Sequence, residues 1–156
     1  MPIFDRRSFM ATSAFLGLSA NQARAASTLR FGATQLRTAM RKNPIGIDDR
    51  HPSLSWRVAG PDETMQSAYR ILVASSSSLL GRNVGDIWDS GRIEGAACTG
   101  IQYEGRPLRS RETCHWKVQV WNEKGNTGWS DPAYWEMGLL EAKDWTGDWL
   151  AAEDAV

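Results

Sequence analysis

The sequence lacks the features that define several large classes of protein. It has no run of 18 apolar residues, so we expect no membrane-spanning helix and no membrane association once an export signal is removed. Lys and Arg together number 18, as do Asp and Glu, so the formal net charge is zero. A net charge of zero argues against a basic surface for nucleic acid. Two cysteines, Cys98 and Cys114, are too few for a disulfide scaffold or a four-ligand zinc site.

Catalytic motifs are missing as well. The two histidines, His51 and His115, belong to no His-Glu-x-x-His pattern, and there is no Gly-x-Ser-x-Gly elbow or phosphate-binding loop. The acidic pair Asp48-Asp49 is more typical of a solvated loop than of a cation site. Asp89 is the best single candidate for an acid, but its Asp-Ser-Gly context favours a turn residue that binds backbone amides. We therefore predict no catalytic residue, no metal ligand and no cofactor.

The first 25 residues have the pattern of a twin-arginine export signal, with its parts in the expected order. In chain order these are Arg6 and Arg7, Phe9, a weakly apolar run over 11–20, and a cleavage site formed by Ala23 and Ala25. This pattern predicts a periplasmic or extracellular protein that is cleaved after Ala25. The alternative is a short amphipathic helix at the start of a cytosolic protein.

The rest of the chain has no long helical pattern. Gly, Pro, Asn, Asp and Ser clusters recur about every ten residues, and short runs with period-2 alternation lie between them. This spacing predicts an all-β protein, an antiparallel immunoglobulin-like (fibronectin type III-like) β-sandwich of about seven strands. The predicted strands are Thr28–Leu36, Ser53–Val58, Ser67–Ala74, Asp86–Ser90, Gly100–Tyr103, Thr113–Asn122 and Ala133–Met137.

The strand Thr113–Asn122 has the cleanest alternation. Cys114, Trp116, Val118 and Val120 fall on one face, which we expect to be buried, and the residues between them fall on a wet face. The same count puts Tyr69, Ile71 and Val73 inside on Ser67–Ala74, and puts Leu54, Trp56 and Val58 on one side of Ser53–Val58. Trp116 should be among the most buried residues, near Trp56 and Tyr69. Export would allow a disulfide between Cys98 and Cys114, but the position of Cys98 in a loop and the inward face of Cys114 favour two free thiols.

A series of phrases resembles the N-terminal region of bacterial α-L-rhamnosidases, the inverting glycoside hydrolase family 78. They are Asn43–Asp48 (NPIGID), Pro52–Trp56 (PSLSW), Gln66–Ser75 (QSAYRILVAS), Ile87–Gly91 (IWDSG), Tyr103–Leu108 (YEGRPL), His115–Trp121 (HWKVQVW), Trp129-Ser130 and Trp135–Leu140 (WEMGLL). Each phrase is weak alone, but their order and spacing over residues 43–150 are specific.

The resemblance implies a domain organisation. It identifies residues 26–140 as a fibronectin type III-like module that precedes a second β-sandwich and then an (α/α)₆ catalytic barrel, which holds the catalytic acids. Residues 141–156, with Trp145 and Trp149, are similar to the lead-in to that second sandwich, so the sequence is expected to end where the next domain begins. The family usually has Tyr where this chain has Cys114. Since such a Tyr makes the corner hydrogen bond of these sandwiches, a slightly weaker corner is expected.

Exposed aromatics are the remaining functional signal. Trp121 faces outward by the strand count, and Trp88 and Trp129 flank turns, so these three are the candidate sugar-binding residues. The alternative is that they cover sandwich edges or contact the domains that follow. The sequence predicts a non-catalytic accessory module of an exported α-L-rhamnosidase-like enzyme, with the downstream rhamnosidase domains as its partner. A stand-alone module that binds rhamnose-containing glycans is the second hypothesis.

Overall fold

The computed structural model describes residues 30–60 and 65–147. The predicted export-signal residues Arg6, Arg7, Phe9, Ala23 and Ala25 lie outside this range, as does Trp149. Within these residues, nine strand segments form two sheets, and the chain also contains one helix and one 3₁₀ turn. They are β1 (Gly32–Thr38), β2 (Ser53–Ala59), β3 (Gln66–Ala74), α1 (Ser77–Gly81), β4 (Trp88–Asp89), β5 (Ile93–Glu94), β6 (Ile101–Gln102), β7 (Thr113–Asn122), β8 (Thr127–Trp129), β9 (Ala133–Glu136) and the 3₁₀ turn Ala142–Asp144.

The smaller sheet has the order β1-β2-β6, with all pairs antiparallel. A bulge interrupts the β1–β2 register between Thr34 and Arg37. After β1 the chain reverses through Ala39 and Met40, and Thr38 and Arg41 exchange two backbone hydrogen bonds of 3.0 Å across the turn. The strand order makes β1 one of the two edge strands of this sheet, and its bulge twists that edge.

The larger sheet is centred on the long antiparallel pair β3–β7. β4 and β5 both pair with β3 along one edge, and β8 and β9 both pair with β7 along the other. Each edge is thus one strand interrupted by a few residues. Counted in this way the domain has seven strands, and the predicted immunoglobulin-like sandwich is confirmed. The two segments β5 and β8 were not predicted from the sequence, since each is only two or three residues long.

The core fills the space between the two sheets. On β7 the four inward residues Cys114, Trp116, Val118 and Val120 are all fully buried, which confirms the alternation. Across the interface, the Trp56 and Tyr69 rings pack 5.2 Å apart, and the Trp116 ring meets Trp135 edge-on at 6.5 Å. The buried Trp56 indole donates to the Gln66 side chain at 2.9 Å, which satisfies its polar atom inside the core.

The outer face of the larger sheet is only partly wet, in contrast to the expectation from simple alternation. Leu72, Ala74 and Leu80 form a second small apolar cluster there, and Trp129 packs against it. Leu80 belongs to the short helix α1, and Ser76 caps the N-terminus of this helix. The Ser76 hydroxyl accepts a hydrogen bond from the Leu79 amide at 3.3 Å. The sequence indicates one helical turn at Leu79-Leu80, and α1 confirms it, but a five-residue helix has too little periodicity to predict that it covers this face of the sheet.

Close approach of the two sheets depends on one glycine. A Cβ atom at Gly128 in β8 would lie 2.1 Å from the Phe31 carbonyl oxygen, just before β1. Only glycine lets the backbones come this near, so the two edge strands β1 and β8 meet along one side of the sandwich. No helix in the described residues is long and apolar enough to cross a membrane.

Candidate functional site

The three candidate sugar-binding tryptophans do not share one surface. Trp88 is partly buried against the core, and its ring meets Tyr103 edge-on at 5.4 Å. Trp121 and Trp129 instead lie on the outer face of the larger sheet, where Gln119 pairs directly with Trp129. A shared stacking platform is therefore limited to these two indoles.

Each of the two outer indoles has a cation over its ring. The Arg92 guanidinium lies 5.0 Å from the centre of the Trp121 ring, and the Lys117 ammonium lies 4.5 Å from that of Trp129. Lys117 also donates to the Asn83 side chain at 2.6 Å, and burial lowers the pKa of its amine. Cation–π contacts of this kind stabilise the indoles where they are and cover the ring faces that a pyranose would stack on.

Asp89 is held as a structural carboxylate. It accepts hydrogen bonds from the Arg70 guanidinium at 2.8 and 2.5 Å and from the Gly91 amide at 3.0 Å. The hydrogen bond from Arg70 is the main reason that the pKa of Asp89 is lowered, against the opposing effect of burial. A general acid for glycoside hydrolysis needs a raised pKa, whereas the pKa of Asp89 is lowered.

Neither a metal site nor a disulfide assembles in the part of the chain that the structure describes. No group of three His, Cys, Asp or Glu residues there could hold a metal ion. Cys98 and Cys114 are free thiols, and burial raises the pKa of Cys114 to about 12, which keeps it an unreactive thiol. The buried Tyr103 hydroxyl donates a hydrogen bond to the Arg106 carbonyl at 2.6 Å.

Several hydrogen bonds hold the end of the sandwich where residues 138–144 run along residues 109–111. The Arg111 amide donates to the Gly138 carbonyl at 3.1 Å, and the Leu140 amide donates to the Ser110 hydroxyl at 2.8 Å. The Ser110 hydroxyl in turn donates to the Asp144 carboxylate. This hydrogen bond is the main cause of a lowered pKa for Asp144. We call residues 138–144 the exit segment.

The exit segment is also tied to the opposite side of the same end. The Arg50 guanidinium pairs with the Glu141 carboxylate, 91 positions away in sequence. At the start of the exit segment, the Gly138 amide donates to the Ile47 carbonyl at 2.7 Å. These residues were not predicted from the sequence, because partners so far apart in the chain leave no local pattern.

A seven-stranded immunoglobulin-like sandwich whose exit segment is anchored along one end defines a class of β-sandwich domains. Residues 33–141 match the family model described as the Rha78A-like, N-terminal immunoglobulin domain. The chain belongs to this family of domains.

Relatives and solved structures agree with that assignment. The chain is 41% identical over 115 residues to an alpha-L-rhamnosidase of Alteromonas sp., an alignment that covers 72% of this chain and 12% of the relative. An alpha-L-rhamnosidase of Streptomyces avermitilis is 39% identical over 113 residues, covering 71% and 11%. The crystal structure of a Streptomyces avermitilis alpha-L-rhamnosidase with L-rhamnose matches with a TM-score of 0.72 and 37% identity, covering 80% of this chain and 12% of that chain. The chain thus spans about an eighth of the curated relatives it matches.

Proposed function

We propose that this chain is the non-catalytic accessory domain of an exported α-L-rhamnosidase-like glycoside hydrolase, and that it positions the downstream domains. Membership in the N-terminal immunoglobulin domain family supports the accessory role, and the relatives that share this region are named as rhamnosidases. The twin-arginine pattern around Arg6 and Arg7 supports export, to the periplasm or beyond.

The observation that carries the positioning role is the anchored exit segment. A flexible linker would leave two domains free to rotate, whereas a segment bonded along the end of a sandwich leaves it in one direction. The Ser110 hydroxyl bridges the Leu140 amide and the Asp144 carboxylate, and the Arg50–Glu141 ion pair fixes the same segment from the other side. These bonds fix where the polypeptide points as it leaves the domain.

The carboxyl groups support the non-catalytic part of the proposal. Inverting hydrolysis needs two carboxyl groups about 6.5–9.5 Å apart, one of them protonated at working pH through a raised pKa. Each described carboxyl with a displaced pKa is displaced downwards, and each accepts hydrogen bonds from a side chain: Asp86, Asp89, Glu112 and Asp144. These four are tuned to stay ionised, which is the wrong state for a general acid.

The test is an assay of the purified chain with an aryl α-L-rhamnoside, beside a calorimetric titration with L-rhamnose. We expect no turnover and no heat of binding. Turnover that disappears in Asp89→Asn would overturn the proposal. Turnover that survives that change would also overturn it and would point to an unrecognised acid.

A second candidate function is sugar binding through the outer face, and it is favoured only by the shared position of Trp121 and Trp129. Binding without turnover in the titration, lost in Trp121→Ala but kept in Trp88→Ala, would promote this function. The cations over both indoles oppose it, because a sugar would first have to displace Arg92 or Lys117.

The export part of the proposal has its own test. Replacing Arg6 and Arg7 together by lysine keeps the charge but removes the planar guanidinium pair, which lysine does not imitate. We expect the chain to stay in the cytoplasm. Unchanged delivery to the periplasm would point to the general secretion route.

A further inference from the structure

A groove of about 490 Å³ runs along the side of the sandwich where the edge strand β1 faces the link between β8 and β9. Its volume lies within the range of ligand sites, which is roughly 300–1,000 Å³. Residues 33–37 form one wall, residues 42–43 close one end, and residues 131–133 form the other wall. It is separate from the exit segment and from the outer indoles.

Backbone strain is concentrated beside this groove. The described residues include six non-glycine positions with positive φ, and four of them fall within residues 35–43. These are Gln35 at 52°, Ala39 at 48°, Met40 at 63° and Asn43 at 46°. Gln35 and Asn43 line the groove itself, and the other two form the turn between them. Such backbone conformations are unfavourable for residues with a side chain, and strain of this kind clusters at binding sites because a fixed shape is needed there.

Charged side chains of both signs line the groove, and they form no ion pair within the described part of the chain. Among residues 30–60 and 65–147, neither Arg37 nor Lys42 forms an ion pair, and Asp131 on the opposite wall forms none either. Arg37 makes only a long hydrogen bond of 3.4 Å to the Met40 carbonyl. Two cations and a carboxylate around one groove are thus free to contact a ligand.

The rest of the lining is divided between amides and small apolar groups. The Asn43 side-chain oxygen accepts a hydrogen bond from the Tyr134 amide at 3.2 Å, which orients its amino group as a remaining donor. The Gln35 side chain makes no hydrogen bond within the described chain and is exposed. The floor is apolar, with Leu36 8% exposed and Ala133 8% exposed. The groove offers donors, acceptors and an apolar floor together.

We propose that this groove binds an anionic sugar unit, a pyranose that carries a carboxylate or a sulfate. Arg37 and Lys42 bind the anionic group, since both are cations within one groove. A simple anion would be repelled by Asp131, whereas sugar hydroxyls donate well to a carboxylate and to the Gln35 amide. The small apolar floor suits the C–H face of the ring.

An added peptide strand fits the groove less well. Strand addition needs an unbroken row of edge amides and carbonyls. The bulge between Thr34 and Arg37 breaks that row in the middle of β1. The left-handed Gln35 backbone turns the edge away from any strand laid beside it.

The test uses the full chain, labelled with ¹⁵N and followed by NMR during titration with three probes. These are D-glucuronate, D-glucose 6-sulfate and D-glucose, which differ at carbon 6. We expect the first two to shift amides of residues 33–37, 42–43 and 131–133, with an affinity that falls as salt is added. The uncharged glucose should bind at least about tenfold more weakly, because it loses a charge-assisted contact. A response to only one of the anionic sugars identifies carboxylate or sulfate as the natural group.

Matched variants locate the effect. Arg37→Gln with Lys42→Gln should weaken glucuronate or sulfate binding about tenfold or more. Arg82→Gln with Lys124→Gln removes the same charge from exposed positions elsewhere and should leave binding unchanged. Four results would overturn the proposal: no shifts with either anionic sugar at tens of millimolar, equal binding of glucose, equal losses in both double variants, or shifts in the groove with an acidic peptide alone.

Discussion

Replacing Trp116 by alanine tests the packing of the sandwich most severely. The side chain is fully buried at the centre of β7 and meets Trp135 edge-on. Removing a buried tryptophan takes away its transfer free energy and leaves a cavity, and the two together cost about 3–5 kcal/mol. Small domains have only about 5–15 kcal/mol of stability, so the alanine variant should be close to unfolding. Trp116→Phe should cost less, because a ring remains and the buried indole N–H, which has no partner, is removed.

The assay is equilibrium unfolding in urea, followed by far-UV circular dichroism. The matched control is Trp121→Ala, on the outer face of the same strand, where the indole is half-buried under Arg92. Its loss should stay near 1 kcal/mol, the scale of an exposed cation–π contact and partial burial. A loss below about 1 kcal/mol in Trp116→Ala, or equal losses in the two variants, would refute the assignment of the buried face.

Three further predictions concern stability. Thr38→Val should raise the free energy of unfolding by about 1 kcal/mol, because the Thr38 hydroxyl is buried without a partner, and thermal unfolding measures this directly. Replacing Ala39 by Asn and Met40 by Gly should stabilise the turn that follows β1 by about 1 kcal/mol, since both positions have positive φ and Asn-Gly favours that backbone conformation. A lower unfolding midpoint in urea would contradict this prediction. Burial raises the pKa of Glu112, but hydrogen bonds, first among them that from Arg106, outweigh burial and lower it below 4.5. The wild type should therefore lose stability as pH falls below about 4.5, and Glu112→Gln should flatten this dependence in unfolding curves at several pH values.

The fold could be predicted because strand periodicity is local. On β7, period-2 alternation alone identified the buried face, and each inward residue is fully buried. Turn residues at regular spacing then set the number of strands. The predicted strand boundaries are less accurate. β4 is Trp88–Asp89, shorter than the predicted Asp86–Ser90, and β6 is Ile101–Gln102, shorter than the predicted Gly100–Tyr103. The length of a short edge strand depends on how far it stays paired with its neighbour, which a sequence pattern does not show.

The site features could not be predicted, because they depend on partners far apart in sequence. Lys117 alternates outward, yet it is 9% exposed because Trp129 and Asn83 close over it. The Arg50–Glu141 pair joins residues 91 positions apart. The strained turn at Ala39 and Met40 contains neither Asn nor Gly, so its left-handed backbone has no sequence signal. In each of these three cases, contacts between distant parts of the chain outweigh the preference of the local sequence.

A domain exchange tests most directly whether this domain positions the downstream domains of a rhamnosidase. In the Alteromonas relative, the segment that matches this chain is replaced by residues 33–144, which include the whole exit segment. Thermal unfolding and rhamnosidase turnover are compared with the parent and with a variant that lacks the segment. We predict that the exchange restores the midpoint and the turnover that the deletion loses. We also predict that Ser110→Ala with Glu141→Ala in the exchanged segment lowers both, while Arg82→Ala does not. An exchanged enzyme that behaves like the deletion, or a deletion that behaves like the parent, would contradict the positioning role.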